Sequence, residues 1–211
     1  MKVAILGSRP MTPAQQAEFL AHGRGWEYWT LNAIRPAWTG ERYQDLIHRV
    51  VYHEGVRWAR AFNLHRFKHL KRDCPQYIYA DSTWARHHPS VPFYVVDAWP
   101  KGYLPKQVIY PRAALAKQPQ GAYHAGSFDM LVALAVHLGA REIALYGIAL
   151  NMESGEPISA RACLEYWCGY AAGRGVKVTV DGGSDLFRQF HLVKSRTYYG
   201  FDDVKLVEDR T

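Results

Sequence analysis

Three ionisable side chains stand where a general acid or base could act. Such catalysis near neutral pH needs a histidine or a perturbed carboxylate close to the group that loses its proton. His65 follows a predicted strand, His124 precedes a predicted helix, and Glu165 lies in a helix that begins near the same region. Each has an ordinary alternative, a packed histidine or a solvent-facing helix carboxylate. The candidate catalytic residues are therefore His65, His124 and Glu165.

A second group of residues is suited to binding an anion such as a phosphate. Gly126 and Ser127 stand directly before an apolar helix, where unpaired N–H groups and the helix dipole favour negative charge. The alternative is that Ser127 only caps a core helix. Arg9 and Arg161 are suited to neutralising a leaving phosphate or diphosphate. These four residues are candidate contacts to a phosphate-bearing ligand.

The ends of the first two predicted strands add three more candidates. Gly7 and Ser8 form the turn after the first strand, and Asn32 ends the second. If the strands are parallel, Asn32 lies at the same edge as Gly7, where its amide would contact a base or ribose or simply start a turn. The turn has no G-x-G-x-x-G pattern, and the chain has no P-loop motif. The predicted binding residues are Gly7, Ser8, Arg9, Asn32, Gly126, Ser127 and Arg161.

A basic stretch at residues 66–72 contains His69, one helical turn after His65. Two histidines at this spacing can bind a metal, but no carboxylate accompanies them as in H-E-x-x-H. The pattern favours a solvated basic face, with phosphate or nucleic-acid contact as a second use. We predict no metal site.

The element that must position these residues is residues 123–148: a polar loop, an apolar helix, a glycine stop at Gly139 and a buried central strand.

Strand and helix signals alternate along the chain. They predict a single Rossmann-like α/β domain over residues 1–211, with a doubly wound, mostly parallel sheet and helices on both faces. We expect strands at 2–6, 26–32, 57–64, 76–80, 91–97, 142–146 and 176–180, helices at 13–22, 41–52, 66–72, 128–138, 160–172 and 185–191, a loop at 81–89, and a long connection that acts as a lid at 99–123.

Composition limits the class of protein. The chain has 211 residues, 48% of them hydrophobic, which is typical of a globular domain with a full core. A formal charge of +7 is compatible with an anionic partner, and three cysteines without a C-x-x-C pair indicate a reducing compartment. The first residues read as a strand rather than a signal peptide, and no segment is long enough to span a bilayer, so we expect a cytoplasmic protein without membrane contact. The charged tail at about 203–211 is typical of disorder.

Several segments together resemble one family. They are residues 3–8 (VAILGS), 26–32 (WEYWTLN), 62–65 (FNLH), 164–175 (LEYWCGYAAGRG) and 198–200 (YYG). They resemble a group of small Rossmann-like bacteriophage proteins of mostly unassigned function. More remotely, residues 127–148 are similar to a segment of the bacterial sialyltransferases of the CMP-sialic-acid type, and of the motility-accessory and pterin-diphosphokinase-like proteins.

The resemblance implies a nucleotide pocket. It would bring Gly7 and Ser8 to a phosphate or diphosphate, Asn32 to the nucleoside, and Gly126 and Ser127 to a phosphate or ribose. The implied ligand is a nucleotide or nucleotide sugar, and the implied location is the host cytoplasm if the protein is phage-encoded.

Two positions depart from the sialyltransferase pattern. The acid expected after residues 147–148 is Ala149, and the histidine expected before the next helix is replaced by residues 159–161 (SAR). Sialyl transfer itself is therefore not implied. The function expected is a glycosyltransferase-like, nucleotide-dependent transferase that acts on phage DNA or a modified base. The alternative is a non-catalytic protein that binds a nucleotide signal or nucleic acid and is used by a phage against its host.

Overall fold

One parallel sheet forms the frame of the protein. The computed structural model describes residues 1–7, 9–31, 47–52, 84–99, 101–102, 104–148, 150, 158–182, 184 and 186–187. Its strands are β1 (Lys2–Leu6), β2 (Trp26–Leu31), β3 (Ile47–Tyr52), β4 (Phe93–Val95), β5 (Gln107–Ile109), β6 (Glu142–Tyr146) and β7 (Lys177–Val180). They form a seven-stranded sheet in the order β5-β4-β3-β2-β1-β6-β7, and each recorded pairing is parallel.

Helices connect the strands and begin or end at the residues that the sequence marks. They are α1 (Pro13–Ala21), α2 (Arg112–Leu115), α3 (Ser127–His137) and α4 (Ile158–Gly173), with a helical turn at residues 84–87. At the start of α1, Thr12 Oγ1 accepts from the Gln15 N–H at 3.3 Å, and Gln15 Oε1 accepts from the Thr12 N–H at 2.7 Å. This reciprocal capping box follows from the T-x-x-Q spacing of the two residues. Gly139, with φ of 80°, follows the end of α3 as predicted.

Alternate residues of β1 show that both faces of the sheet are covered. Val3 and Ile5 belong to a core shared with α3 and α4, whereas Ala4 and Leu6 belong to a core shared with Phe19 of α1. A strand buried on both faces requires helices on both sides. The predicted doubly wound α/β fold is therefore confirmed.

The strand order reverses between β1 and β6. From β1 the chain moves outward through β2, β3, β4 and β5, then returns to place β6 and β7 on the other side of β1. The two strands are in register, with Leu6 beside Tyr146. In open α/β sheets, ligands bind at the carboxyl ends of the strands at such a switch point. The described helices are too short or too polar to cross a membrane.

The helix predicted at 41–52 is wrong where the structure describes it, because Ile47–Tyr52 is strand β3. Ile47, Val50 and Val51 have the i, i+3, i+4 spacing of a helix face, which misled the prediction. Their β-branched side chains favour a strand, and β3 pairs with β2 and β4.

Several smaller expectations also need correction. The connection at 99–123 contains β5 and α2, the loop at 81–89 contains the turn of helix at 84–87, and residues 186 and 187 form a turn rather than a helix. The strand at 91–97 is shorter, at Phe93–Val95. Elements of three or four residues are too short to show periodicity. Strand β6, in contrast, is interior and buried as expected, with β1 and β7 on its two sides.

Some predictions fall on residues outside the described part. They are the strands at 57–64 and 76–80, the basic stretch at 66–72, the tail at 203–211, and the candidate residues Ser8, Asn32 and His65.

Candidate ligand site at the carboxyl edge of the sheet

The loops that leave β1 and β6 pack directly against one another. The Gly7 N–H donates to the Tyr146 carbonyl at 2.7 Å, and the Arg9 N–H donates to the Gly147 carbonyl at 2.9 Å. A Cβ atom on Gly7 would lie 2.3 Å from the Gly147 oxygen, and Gly147 itself has φ of 62°. Both glycines are therefore needed for the two loops to meet at the switch point.

A small cleft opens beside this contact, between the start of α1 and the end of β7. Its volume is about 120 Å³. Pockets that enclose a drug-sized ligand measure about 300–1,000 Å³, so this cleft can hold a phosphate or another small part of a nucleotide rather than the whole molecule. Its lining consists of Arg9, Pro10, Thr12, Gln15, Gly147, Ile148 and Asp181.

Asp181 is the buried acid of this cleft, with 6% of its surface exposed. Its Oδ2 accepts from the Gly147 N–H at 2.6 Å, and its Oδ1 accepts from Gln15 Nε2 at 2.8 Å. The Asp181 carboxylate therefore joins the loop after β6 to the first turn of α1. Sequence reasoning missed this residue, although an aspartate directly after β7 had to lie at the carboxyl edge.

The turn that follows Asp181 is tied to the same loop. Ser184 donates its N–H to the Asp181 carbonyl at 3.1 Å and its hydroxyl to the Ile148 carbonyl at 2.7 Å. The Leu186 N–H donates to Ser184 Oγ at 3.2 Å, and the Leu186 side chain is buried. Ser184 thus links Asp181 and Ile148 of the cleft lining to the buried Leu186.

The start of α3, where Gly126 and Ser127 were expected to bind a phosphate, holds a carboxylate from its own chain. Asp129 Oδ2 accepts from the N–H groups of Ala125 and Gly126, at 2.9 and 3.1 Å. Asp129 is only 1% exposed. A Cβ atom on Gly126 would lie 3.1 Å from the Cβ of Ala160 in α4. The N–H groups of Ala125 and Gly126, directly before α3, therefore bind an internal acid, and α4 lies close against Gly126.

His124 is paired with this same acid. Its Nδ1 lies 3.4 Å from Asp129 Oδ1, and its ring stacks on Trp167 with centroids 5.1 Å apart. Both ring nitrogens of His124 are buried, and no hydrogen bond reaches them from the described residues; the same holds for Asp129 Oδ1. The structure thus adds Asp129 to the histidine that the sequence identified. The signal for it was the position three residues after the N-cap Gly126, where a capping box places an acid.

Arg161 and Glu165 form an ion pair one turn apart on α4. Arg161 Nε lies 2.8 Å from Glu165 Oε1, and Arg161 is 8% exposed. The same Glu165 oxygen accepts from the Phe187 N–H at 2.8 Å. The Glu165 carboxylate therefore holds the backbone of Phe187 against α4.

The described candidate residues lie near one edge of the sheet but in two groups. Arg9 lines the cleft and Gly7 contacts Gly147 beside it, whereas the other group consists of residues at the start of α3 and in α4: His124, Gly126, Ser127, Arg161 and Glu165. Ser184 and Phe187 connect the two groups, because Ser184 bonds to Ile148 and Phe187 bonds to Glu165.

Two buried thiols, those of Cys163 and Cys168, lie within α4. Burial raises the pKa of Cys163 and raises the pKa of Cys168 to about 12, so neither thiol is suited to act as a nucleophile. In the described part of the chain, no group of three or more His, Cys, Asp or Glu residues could hold a metal ion.

No family model matches the sequence, and no curated protein or solved structure matches it either.

Proposed function

We propose that the protein binds a nucleotide or nucleotide sugar at the carboxyl edge of its sheet. The observation that carries this proposal is the cleft between the loops after β1 and β6, at the point where the strand order reverses. Doubly wound sheets use this position for ligands because loops diverge there on opposite faces. The cleft accommodates one polar part of the ligand, and the rest extends along the edge.

The charges of the cleft fit a ligand that carries both an anion and hydroxyl groups. Arg9 is exposed and lines the cleft, and its guanidinium suits a phosphate. Asp181 offers only acceptors, which suit the hydroxyl groups of a sugar. A ligand with phosphate and sugar in close succession satisfies both side chains.

Binding is tested by calorimetry with nucleoside mono- and diphosphates and nucleotide sugars. We expect Arg9→Met to weaken binding by about tenfold, since one charge-assisted hydrogen bond contributes about 1.5–3 kcal/mol. Arg24→Met is the matched control, because Arg24 is exposed in the turn between α1 and β2 at the opposite edge. Absence of binding by every ligand at millimolar concentration, or equal losses in both variants, would contradict the proposal.

Sugar transfer from the bound nucleotide is the reaction that we propose, with DNA or a modified base as acceptor. Its candidate base is His124, because Asp129 stands beside Nδ1 and a base oriented by an acid is a recurring catalytic arrangement. In such an arrangement Nε2 takes the proton of the attacking hydroxyl group while Asp129 stabilises the imidazolium.

A non-catalytic binding protein is the second candidate, and the burial of both His124 ring nitrogens favours it. A base must come within about 2.6–3.2 Å of the proton donor. Transfer and hydrolysis of nucleotide sugars, assayed with and without DNA, separate the two. The enzyme hypothesis predicts turnover that His124→Gln abolishes and that His137→Gln, at the exposed end of α3, retains. Binding without turnover supports the second candidate.

Nucleic-acid contact through residues 66–72 stays a prediction, since that stretch lies outside the described residues. Such contact would weaken steeply with salt. A gel shift at low salt tests it, and an unshifted band would argue against it.

A further inference from the structure

Phe187 combines an unusual backbone with an exposed aromatic ring. Its φ is 61°, and 52% of its surface is exposed. The left-handed region is unfavourable for a bulky side chain, and an exposed ring gains little from the hydrophobic effect. Phe187 therefore adopts a costly conformation without the compensation of a buried side chain.

The conformation of Phe187 is fixed by its contacts. Its N–H donates to Glu165 Oε1 at 2.8 Å, and that carboxylate is itself held by the Nε of the buried Arg161. The preceding Leu186 is buried. The backbone is therefore held at Phe187 and at the residue directly before it, and the exposed ring extends from these contacts.

Phe187 is linked to the cleft through Ser184. Ser184 donates its hydroxyl to the carbonyl of Ile148, which lines the cleft. Phe187 is three residues further, a distance that an extended chain covers in at most about 11 Å. Because the Leu186 N–H bonds back to Ser184 Oγ, the actual path is shorter. A ligand whose phosphate or sugar occupies the cleft can therefore extend its remaining part to this ring.

We propose that Phe187 is the stacking surface for the nucleobase of the ligand. This assignment rests on the proposed nucleotide-binding function. A base has a flat π-face that an exposed aromatic ring can cover, and base–aromatic stacking tolerates any base. A half-exposed ring three residues after Ser184, which contacts the cleft lining, thus divides recognition: the cleft takes the phosphate and sugar, and Phe187 takes the base.

The test compares ligands with and without a base. Calorimetry measures the binding of nucleoside monophosphates and of ribose 5-phosphate to the wild type, Phe187→Ala, Phe187→Gly and Phe187→Tyr. We expect Ala and Gly to weaken nucleotide binding by about tenfold or more, the range found when a stacking aromatic is truncated. Tyr retains binding, and ribose 5-phosphate binds all four proteins alike. Ile109→Ala, which truncates another exposed apolar side chain, leaves every affinity unchanged.

Other outcomes overturn the assignment in distinguishable ways. Nucleotide binding that is equal in the wild type and Phe187→Ala overturns the stacking role and leaves the proposed function standing. Equal loss of ribose 5-phosphate and nucleotides shows that Phe187 only supports the fold, which also overturns the role. A wild type that binds neither probe overturns both the role and the proposed function.

Discussion

The Asp181 carboxylate joins Gly147 and Gln15, accepting from a backbone N–H of one loop at 2.6 Å and from a side-chain amide of α1 at 2.8 Å. Asp181→Asn keeps the shape of the side chain but replaces one acceptor with a donor. One of the two buried donors then loses its partner, at about 1–3 kcal/mol of unfolding free energy. Urea unfolding measures the change.

The control for this variant is Asp97→Asn, because Asp97 is exposed and 3.6 Å from Arg112. Its expected effect is within about 0.5 kcal/mol, as for most surface substitutions. Equal stability of the two variants would show that the Asp181 contacts contribute nothing specific.

Two glycine-to-alanine substitutions should change stability in opposite directions. Gly7→Ala would place Cβ 2.3 Å from the Gly147 oxygen, so the backbone of one loop must move. Gly169 lies within α4 with no atom near its Cβ position, so Gly169→Ala should stabilise the helix by about 0.5–1 kcal/mol. Thermal unfolding measures both. A Gly7→Ala protein as stable as the wild type would contradict the close contact between the two loops.

His22 predicts a loss of stability at acid pH. Its ring stacks on Trp26, its Nε2 lies 2.7 Å from the Tyr146 hydroxyl, and burial lowers its pKa below the ordinary value of 6.5. Because the unfolded chain then binds a proton more readily than the folded one, the unfolding free energy falls as pH drops below about 6.5.

Unfolding of the wild type and His22→Gln in the same buffers isolates this contribution, since other titrating groups are common to both. We expect the difference between the two proteins to decrease from pH 7 to pH 5. A difference that is constant over this range would refute the contribution of His22.

Arg49 links three neighbouring strands on one face of the sheet. Its guanidinium donates to both oxygens of Glu27 and to the Tyr94 hydroxyl at 2.7 Å, and it lies 5.4 Å from the ring centre of Trp29. Hydrogen bonding from Arg49 lowers the pKa of Glu27, so this stabilisation is present above pH 4.5 and is lost as pH falls through the lowered value.

Arg49→Lys keeps the charge but loses the fork geometry, which should cost about 1 kcal/mol after allowance for partial exposure. The exposed Arg141 provides the control Arg141→Lys. If the two variants have the same unfolding free energy at pH 7, the cluster does not stabilise the sheet.

Phe187 also gives a prediction about stability without any ligand. Glycine adopts φ of 61° readily, whereas alanine is disfavoured there by about 1–2 kcal/mol. Phe187→Gly should therefore be more stable than Phe187→Ala, the reverse of the order in a helix. The opposite order in urea unfolding would place Phe187 outside the left-handed region.

The sequence was sufficient for the fold class because its strongest signals are long and consistent. The apolar run of α3 and the stop at Gly139 each depend on local chemistry, and each was predicted correctly. Strand β3 was misread because the spacing of Ile47, Val50 and Val51 fits a helix equally well. Only its partners in the sheet decide between the two.

The candidate site was predictable only where a residue ends a recognisable element. Gly7 could be placed because it follows β1, and His124 because it precedes α3. The roles of Asp181 and Phe187 depend on contacts across the fold, with Gln15 and Glu165 respectively, and no local pattern encodes these. Asp129 does have a local signal, its position three residues after Gly126, but its contact with His124 depends on the fold.

The position of β1 between β2 and β6 has a consequence for the order of folding. β1 pairs with β2, a partner close in sequence, but its other partner, β6, begins only at Glu142. The β1–β6 pairing closes a longer loop than the β1–β2 pairing does, so we expect it to form later. The cleft lies where β1, which pairs early with β2, meets β6, which joins the sheet later. We therefore expect a bound ligand to slow the exchange of the amide hydrogens of β6 and β7 more than those of β2, because it stabilises the attachment of β6 and β7 to β1.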